Sequence, residues 1–229
     1  MDFKTSMRPQ VCLLTSLFAA MLVFGQSTGQ QPAHPDHMER HFDPEMAAKS
    51  FDDPSRDAWQ MPDRVIAALA LKPGQIVADI GSGTGYFSVR LAKSAASPKV
   101  YGADIEPEMV KFLHDRAAKE GLNNVVAVQA SAGSPNLPEP VDLVLIVDTF
   151  HMIGGRETYF RELKKSLKPR GRVAIVDFKP SSPEGPPPEF RLSPEKIEAE
   201  MSQAGYKLLA QHDFLPRQNF LIFEAAASR

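Results

Sequence analysis

Five short, almost unbroken apolar runs constrain this chain more than any other feature: QIVADI (75–80), KVYGAD (99–104), NVVAVQA (124–130), VDLVLIVD (141–148) and GRVAIVDF (171–178). Each is too short for a buried helix and rich in β-branched residues, which reads as strand. Between them lie stretches of helical periodicity, Tyr86–Ala96, Pro107–Gly121 and Glu157–Leu167; in the second, Met109, Leu113 and Ala117 share one face. Strands that are apolar on both faces and separated by helices form a parallel sheet covered on both sides. The tail differs: a helix over Ser193–Gly205 precedes two strand-like runs, YKLLAQHDFL (206–215) and QNFLIFEA (218–225), joined only by a short turn at Pro216–Arg217. Strands joined so tightly run antiparallel. The expected fold is therefore α/β, a seven-stranded, mostly parallel sheet with helices on both faces and a C-terminal antiparallel hairpin. Ahead of the first strand, Asp53 and Pro54 are expected to open a helix that Pro62 interrupts, with Val65, Ile66 and Leu69 as its apolar stripe.

A length of 229 residues with 43% apolar composition suits one well-buried domain. The near balance of 26 basic against 28 acidic side chains excludes a protein whose affinity comes from neutralising many phosphates, so no nucleic-acid partner is expected. The first residues are unlike the rest. Lys4 and Arg8 precede an uncharged run, Val11–Phe24, and small residues follow at Gly25, Ser27 and Gly29. This pattern reads as a secretory signal peptide over 1–25 with cleavage near 25–29. The run falls short of the ~20 apolar residues of a spanning helix, so membrane contact is expected only through this segment if it stays uncleaved. The expected location is exported, periplasmic or secreted. Residues 26–50 read as a linker and helical lead-in, and 51–229 as the domain. Cys12, the one cysteine, lies in the signal region, which excludes a disulfide framework or a thiolate metal site in the mature chain. His34, His37 and His41 have no organised acid or histidine partners to complete a metal site, and no metal is expected.

The chemistry is concentrated at the first strand-to-helix turn, VADIGSGTGYF (77–87). Gly81, Gly83 and Gly85 follow a strand and open a helix, where absent side chains let a ligand approach the backbone and the helix N-terminus receives an anion. A dinucleotide fingerprint requires G-x-G-x-x-G; here the third glycine comes one residue early and Tyr86 takes its place, which argues against a dehydrogenase. The next strand ends at Asp104, whose carboxylate suits the two hydroxyls of a ribose.

In combination, VADIGSGTGYF, VYGADIEPEMV (100–110), VDLVLIVDTFHMI (141–153) and LKPRGRVAIVDF (167–178) resemble the successive motifs of the class I S-adenosylmethionine-dependent methyltransferases, in their small-molecule, ubiquinone-biosynthesis-like branch. The resemblance implies a Rossmann-like methyltransferase domain over 51–229, S-adenosyl-L-methionine as cofactor and a small-molecule acceptor. It implies that Asp79 and the loop Gly81, Ser82, Gly83 and Gly85 hold the methionine end, that Asp104 binds the ribose and that Ile105 packs on the adenine. Where such enzymes commonly place an acid for the adenine amino group, QASAGSPNL (129–137) offers Ser131. Asp148 and Thr149 are placed to reach the methionine amine.

His151 is the best-placed general base, because imidazole titrates near neutrality. Tyr86, Phe150 and Trp59 are aromatic side chains suited to line a sulfonium or an aromatic acceptor, as is Phe87, for which core packing is the expected place. Five prolines, Pro180, Pro183, Pro186, Pro187 and Pro188, stiffen the loop beyond the fifth strand, on the ligand side of the sheet. Arsenite chemistry needs cysteines that this chain lacks, and DTFH (148–151) is not the signature of DNA amino-group methylation. The alternative from another class is an exported, non-catalytic binding protein that retains the fold.

Overall fold

The structure is a computed structural model that describes residues 44–226. The signal segment with Cys12, most of the linker, and His34, His37 and His41 lie outside the described residues. The described chain runs α1 (Pro44–Phe51), α2 (Arg56–Gln60), α3 (Pro62–Ala68), β1 (Ile76–Ile80), α4 (Tyr86–Lys93), β2 (Lys99–Asp104) and α5 (Pro107–Lys119). It continues through β3 (Val125–Gln129), β4 (Val141–Val147), α6 (Arg156–Leu163), β5 (Leu167–Phe178), α7 (Pro194–Gln203), β6 (Tyr206–His212) and β7 (Gln218–Ala225). One seven-stranded sheet has the order β3-β2-β1-β4-β5-β7-β6, parallel from β3 to β5, with β7 antiparallel to both of its neighbours.

The second strand of the hairpin, not the first, therefore joins the parallel sheet. Burial gives the reason. The run QNFLIFEA is buried along most of its length, as an interior strand must be, whereas β6 alternates between exposed positions and partly or fully buried ones, as an edge strand does.

The pleat of β4 divides the core. Leu143 and Leu145 pack on one face with Val65 of α3, Leu69 just beyond it, Leu91 of α4 and Leu113 of α5. Val144 and Ile146 pack on the other with Phe160, Leu163, Ile197 and Met201 of α6 and α7. Met109, Leu113 and Ala117 are buried together on α5, as their spacing predicts. Among the described residues, no helix is long and apolar enough to cross a membrane.

Three boundaries differ from the sequence expectation. Pro62 does not interrupt a helix; it opens α3, where its missing N–H costs nothing, while Met61 turns the chain through a left-handed conformation (φ 44°) between α2 and α3. Asp53 caps a turn through the Ser55 N–H at 2.8 Å, not a helix starting at Pro54. The helix α6 ends at Leu163, and Leu167 already pairs with Val141, so β5 begins earlier than its apolar run.

Candidate functional site

The C-terminal ends of β1, β2, β4 and β5 bring together the residues singled out in the sequence, at the point where the chain order of the sheet reverses between β1 and β4. Ligands of open α/β sheets bind at such a crevice. The loop after β1 turns through three left-handed glycines, Gly81 (φ 72°), Gly83 (φ 51°) and Gly85 (φ 85°), a conformation that other residues adopt only with strain.

The space beside two of these glycines is taken by protein. A Cβ on Gly81 would lie 2.2 Å from Thr149 Oγ1, and one on Gly85 would lie 2.4 Å from Leu113 Cδ1 of α5. These two glycines let β1, α4 and their neighbours close-pack, a role that the ligand-approach reading of the motif leaves out. Beside Gly83 stands the ring of Phe51 from α1. Ser82 Oγ and Thr84 Oγ1, in the same loop, are buried and have no hydrogen-bond partner among the described residues.

Asp104 ends β2 with both carboxylate oxygens engaged by backbone donors. Oδ2 accepts from the Gly83 N–H at 2.7 Å and Oδ1 from the Glu106 N–H at 3.0 Å. A carboxylate oxygen accepts two bonds, so each retains capacity for a further donor. Burial raises the Asp104 carboxyl above the usual range, against the lowering effect of those backbone donors. Next to it, Ile105 is 44% exposed, an apolar side chain held open beside a carboxylate. Ser131, at the end of β3, is exposed, and its Oγ donates to the Ser134 carbonyl at 3.2 Å.

Asp79 lies beneath the loop, accepts from Ser88 Oγ at 2.7 Å and is almost fully buried. Desolvation pushes its carboxyl up to about 6, the Ser88 bond opposing and the charge of Asp104 adding. Its partner is α4, so it supports the loop from within the core.

Asp148 occupies a left-handed conformation (φ 53°) that a non-glycine residue adopts only when its surroundings hold it there. Gln218 Nε2 donates to Oδ1 at 2.5 Å, Gln60 Nε2 donates to Oδ2 at 2.9 Å, and the Arg56 guanidinium stands 3.7 Å away. Arg56 also donates to Gln60 Oε1, which sets the orientation of that amide. Burial, followed by the charge of Asp177, raises the Asp148 carboxyl to about 6.

His151 lies in the short 3₁₀ turn Phe150–Met152 that follows β4. Its Nδ1 is 2.9 Å from Asp177 Oδ1, and its backbone N–H donates to Asp177 Oδ2 at 2.9 Å. Asp177, Gln60, Arg56 and Gln218 are the site residues that motif reading misses. Asp177 carried a signal, being the one acid near the end of an otherwise apolar strand; Gln60 and Gln218 lie in segments without a motif.

The aromatic residues separate. Phe87 and Phe150 are buried in the two core clusters and line nothing. Tyr86 is also buried, donates its hydroxyl to Asp57 and has the guanidiniums of Arg56 and Arg90 over its ring, at 4.3 and 3.8 Å. A sulfonium there would meet two like charges, so Tyr86 is a structural residue. Trp59 lies at the sheet end, its ring 5.9 Å from that of Phe178 and with the Arg217 guanidinium 5.0 Å from its centroid. The proline-rich loop also folds against Phe178: Gly185 abuts the ring, and Arg191 ties the loop by donating to the carbonyls of Pro186 and Ser182.

Comparison with known proteins agrees with this geometry. Residues 71–214 match the methyltransferase domain family. An arsenite methyltransferase from Halobacterium salinarum is 31% identical over 134 residues, which cover 57% of this chain and 34% of that protein. A ubiquinone/menaquinone biosynthesis C-methyltransferase from Ectopseudomonas mendocina is 35% identical over 123 residues, covering 52% and 48%. The matched stretch thus spans between a third and a half of these curated relatives. A solved structure, an S-adenosylmethionine-dependent methyltransferase from Aquifex aeolicus, superposes with a TM-score of 0.73 at 30% identity, covering 81% of this chain and all of that one. The sheet order with its antiparallel β7, the glycine loop backed by Asp104 and these matches together place the chain in the class I S-adenosylmethionine-dependent methyltransferase family.

Proposed function

We propose that this protein transfers the methyl group of S-adenosylmethionine to a small-molecule acceptor. The observation that carries the reading is the pairing of Asp104, with hydrogen-bonding capacity left on both oxygens, and the exposed Ile105 beside it. A carboxylate and an apolar face side by side fit a ribose and its adenine. Ser131 offers a neutral acceptor for the adenine amino group, weaker than the acid common at this place. The methionine end falls to the loop Gly81–Gly85 and to Asp148, with Asp79 holding the loop from below. When bound, the cofactor supplies a methyl group on a positively charged sulfur, an electrophile that needs no metal.

The acceptor side lies toward the ends of β4 and β5, where His151, Trp59 and the proline-rich loop gather. Positioning supplies much of the acceleration in an in-line displacement, and His151 is the group suited to take a proton from the acceptor. The relatives are by name a ubiquinone/menaquinone biosynthesis C-methyltransferase and an arsenite methyltransferase; the arsenite chemistry does not transfer, since soft thiolate ligands are wanted and Cys12 is the only cysteine. Export of the chain is part of the same proposal and rests on the Lys4–Gly29 pattern. Cell fractionation with and without residues 1–25 tests it.

Calorimetry with S-adenosylmethionine, S-adenosylhomocysteine and NAD in parallel tests the cofactor reading. Binding of the two adenosyl compounds without NAD is the expected result. Binding of NAD alone overturns the enzyme class, and binding of none supports a non-catalytic protein that kept the fold.

A further inference from the structure

We propose that Asp177 is a positioning residue for methyl transfer: it holds His151 as the tautomer protonated on Nδ1, so that Nε2 presents a lone pair to the methyl acceptor. The inference rests on the methyltransferase reading and deepens it by naming how the proton of the acceptor is handled.

Three hydrogen bonds converge on Asp177. Oδ1 lies 2.9 Å from His151 Nδ1 and accepts from the Phe178 N–H at 2.7 Å, while Oδ2 accepts from the His151 N–H at 2.9 Å. The carboxylate thus grips both the ring and the main chain of one residue, which fixes the imidazole in position and in rotation. A deprotonated carboxylate only accepts, so the ring nitrogen that faces it carries the proton. In the neutral imidazole the other nitrogen is then the base. Among the described residues, Nε2 has no hydrogen-bond partner, although the side chain is largely buried. The turn that carries His151 follows directly from Thr149, which touches Gly81 of the cofactor-type loop.

The arrangement balances the reaction. The acceptor forms its new bond to the methyl carbon with the electron pair of its own nucleophilic atom, and the pair of the broken carbon–sulfur bond stays on sulfur. The proton lost by the acceptor ends on His151 Nε2. The positive charge that disappears from sulfur reappears as an imidazolium, and Asp177 is the counter-charge that stabilises it. Such a site takes acceptors whose nucleophilic atom bears a proton, a hydroxyl or an amine.

The proposal is tested on the intact protein by two measurements that require no acceptor. In nitrogen-15 correlation spectra at neutral to mildly alkaline pH, His151 is expected to be protonated on Nδ1 and bare on Nε2; a proton on Nε2 overturns the proposal. This arm uses the unaltered protein and does not depend on a variant folding. The second arm follows carbethoxylation of histidines by diethyl pyrocarbonate with peptide mapping, using the 75%-exposed His114 as internal control. His151 is expected to react, at least tenfold more slowly in Asp177→Asn, and to be protected by S-adenosylhomocysteine, with His114 unchanged throughout. Equal rates in Asp177→Asn and wild type, or no protection by a ligand that calorimetry shows to bind, overturns it. A merely structural pair would show neither effect. If S-adenosylhomocysteine does not bind at all, the methyltransferase reading fails, while the tautomer and the Asp177 dependence still report on the dyad.

Discussion

Thr149 fills the space that a side chain on Gly81 would need: its Oγ1, Cγ2 and Cβ all lie within 2.8 Å of a Cβ built there. The end of β4 and the loop after β1 are thereby locked together, and the glycine loop is shaped by the segment that follows β4 and carries Asp148 and His151.

Replacing Gly81 by alanine combines a left-handed backbone, costing about 1–2 kcal/mol, with an overlap against Thr149 that costs about 1–3 kcal/mol. Chemical denaturation of Gly81→Ala should show a loss in the range of their sum. In the Gly81→Ala/Thr149→Gly double variant the overlap part is relieved and the backbone part remains, so the double-mutant cycle should show a positive coupling of about 1 kcal/mol or more. Additive losses contradict the packing role.

Asp104→Ala removes two acceptors for backbone N–H groups and the carboxylate beside Ile105. Charged hydrogen bonds contribute roughly 1.5–3 kcal/mol each, so the affinity for S-adenosylhomocysteine should fall about tenfold or more in calorimetry. An unchanged affinity removes Asp104 from the cofactor site.

Asp79 makes stability pH-dependent. Its carboxyl is raised from 3.8 to about 6 in the folded protein, so the folded state binds more protons between those values. The stabilising contribution is fully present below about pH 4 and is lost as pH rises through about 6, an effect of ~3 kcal/mol. Asp79→Asn keeps an acceptor for Ser88 Oγ and removes this share of the slope. Its melting temperature should exceed that of the wild type at pH 7 and approach it near pH 4. A difference that does not change with pH contradicts the assignment.

Arg56 anchors the lead-in segment. It donates to the carbonyl of Phe51 and to Gln60, stands beside Asp148 and lies over the Tyr86 ring. Arg56→Ala should speed amide hydrogen exchange in residues 44–61 by tenfold or more and leave the strands of the sheet unchanged. Uniform acceleration across the sheet would show that Arg56 supports the whole domain instead.

Much of the fold was legible because the information is local. Apolar runs with a strand's length, helical stripes such as Met109–Leu113–Ala117, and a turn too short for a crossover each state their own structure within a few residues. Even the interior position of β7 has a local sign, its unbroken apolarity against the alternation of β6, although only the completed sheet shows which strand is inside. Gly81–Gly85 and Asp104 were legible for the same reason, being a turn and the end of a strand. The aromatics failed for the opposite one: a ring reads alike in sequence whether it lines a site or fills a core, and Phe150 and Tyr86 do the latter.

The sequence by itself determined the sheet, the loop that ends its first strand and the acid that ends its second, since these follow from periodicity and turn chemistry along the chain. Only the tertiary structure decided what surrounds Asp148 and His151. Gln60 reaches Asp148 across 88 positions, Gln218 across 70, and Asp177 reaches His151 across 26. Hydrogen bonds between side chains so far apart exist only after the sheet has brought the strand ends together, and no pattern of neighbouring residues encodes them.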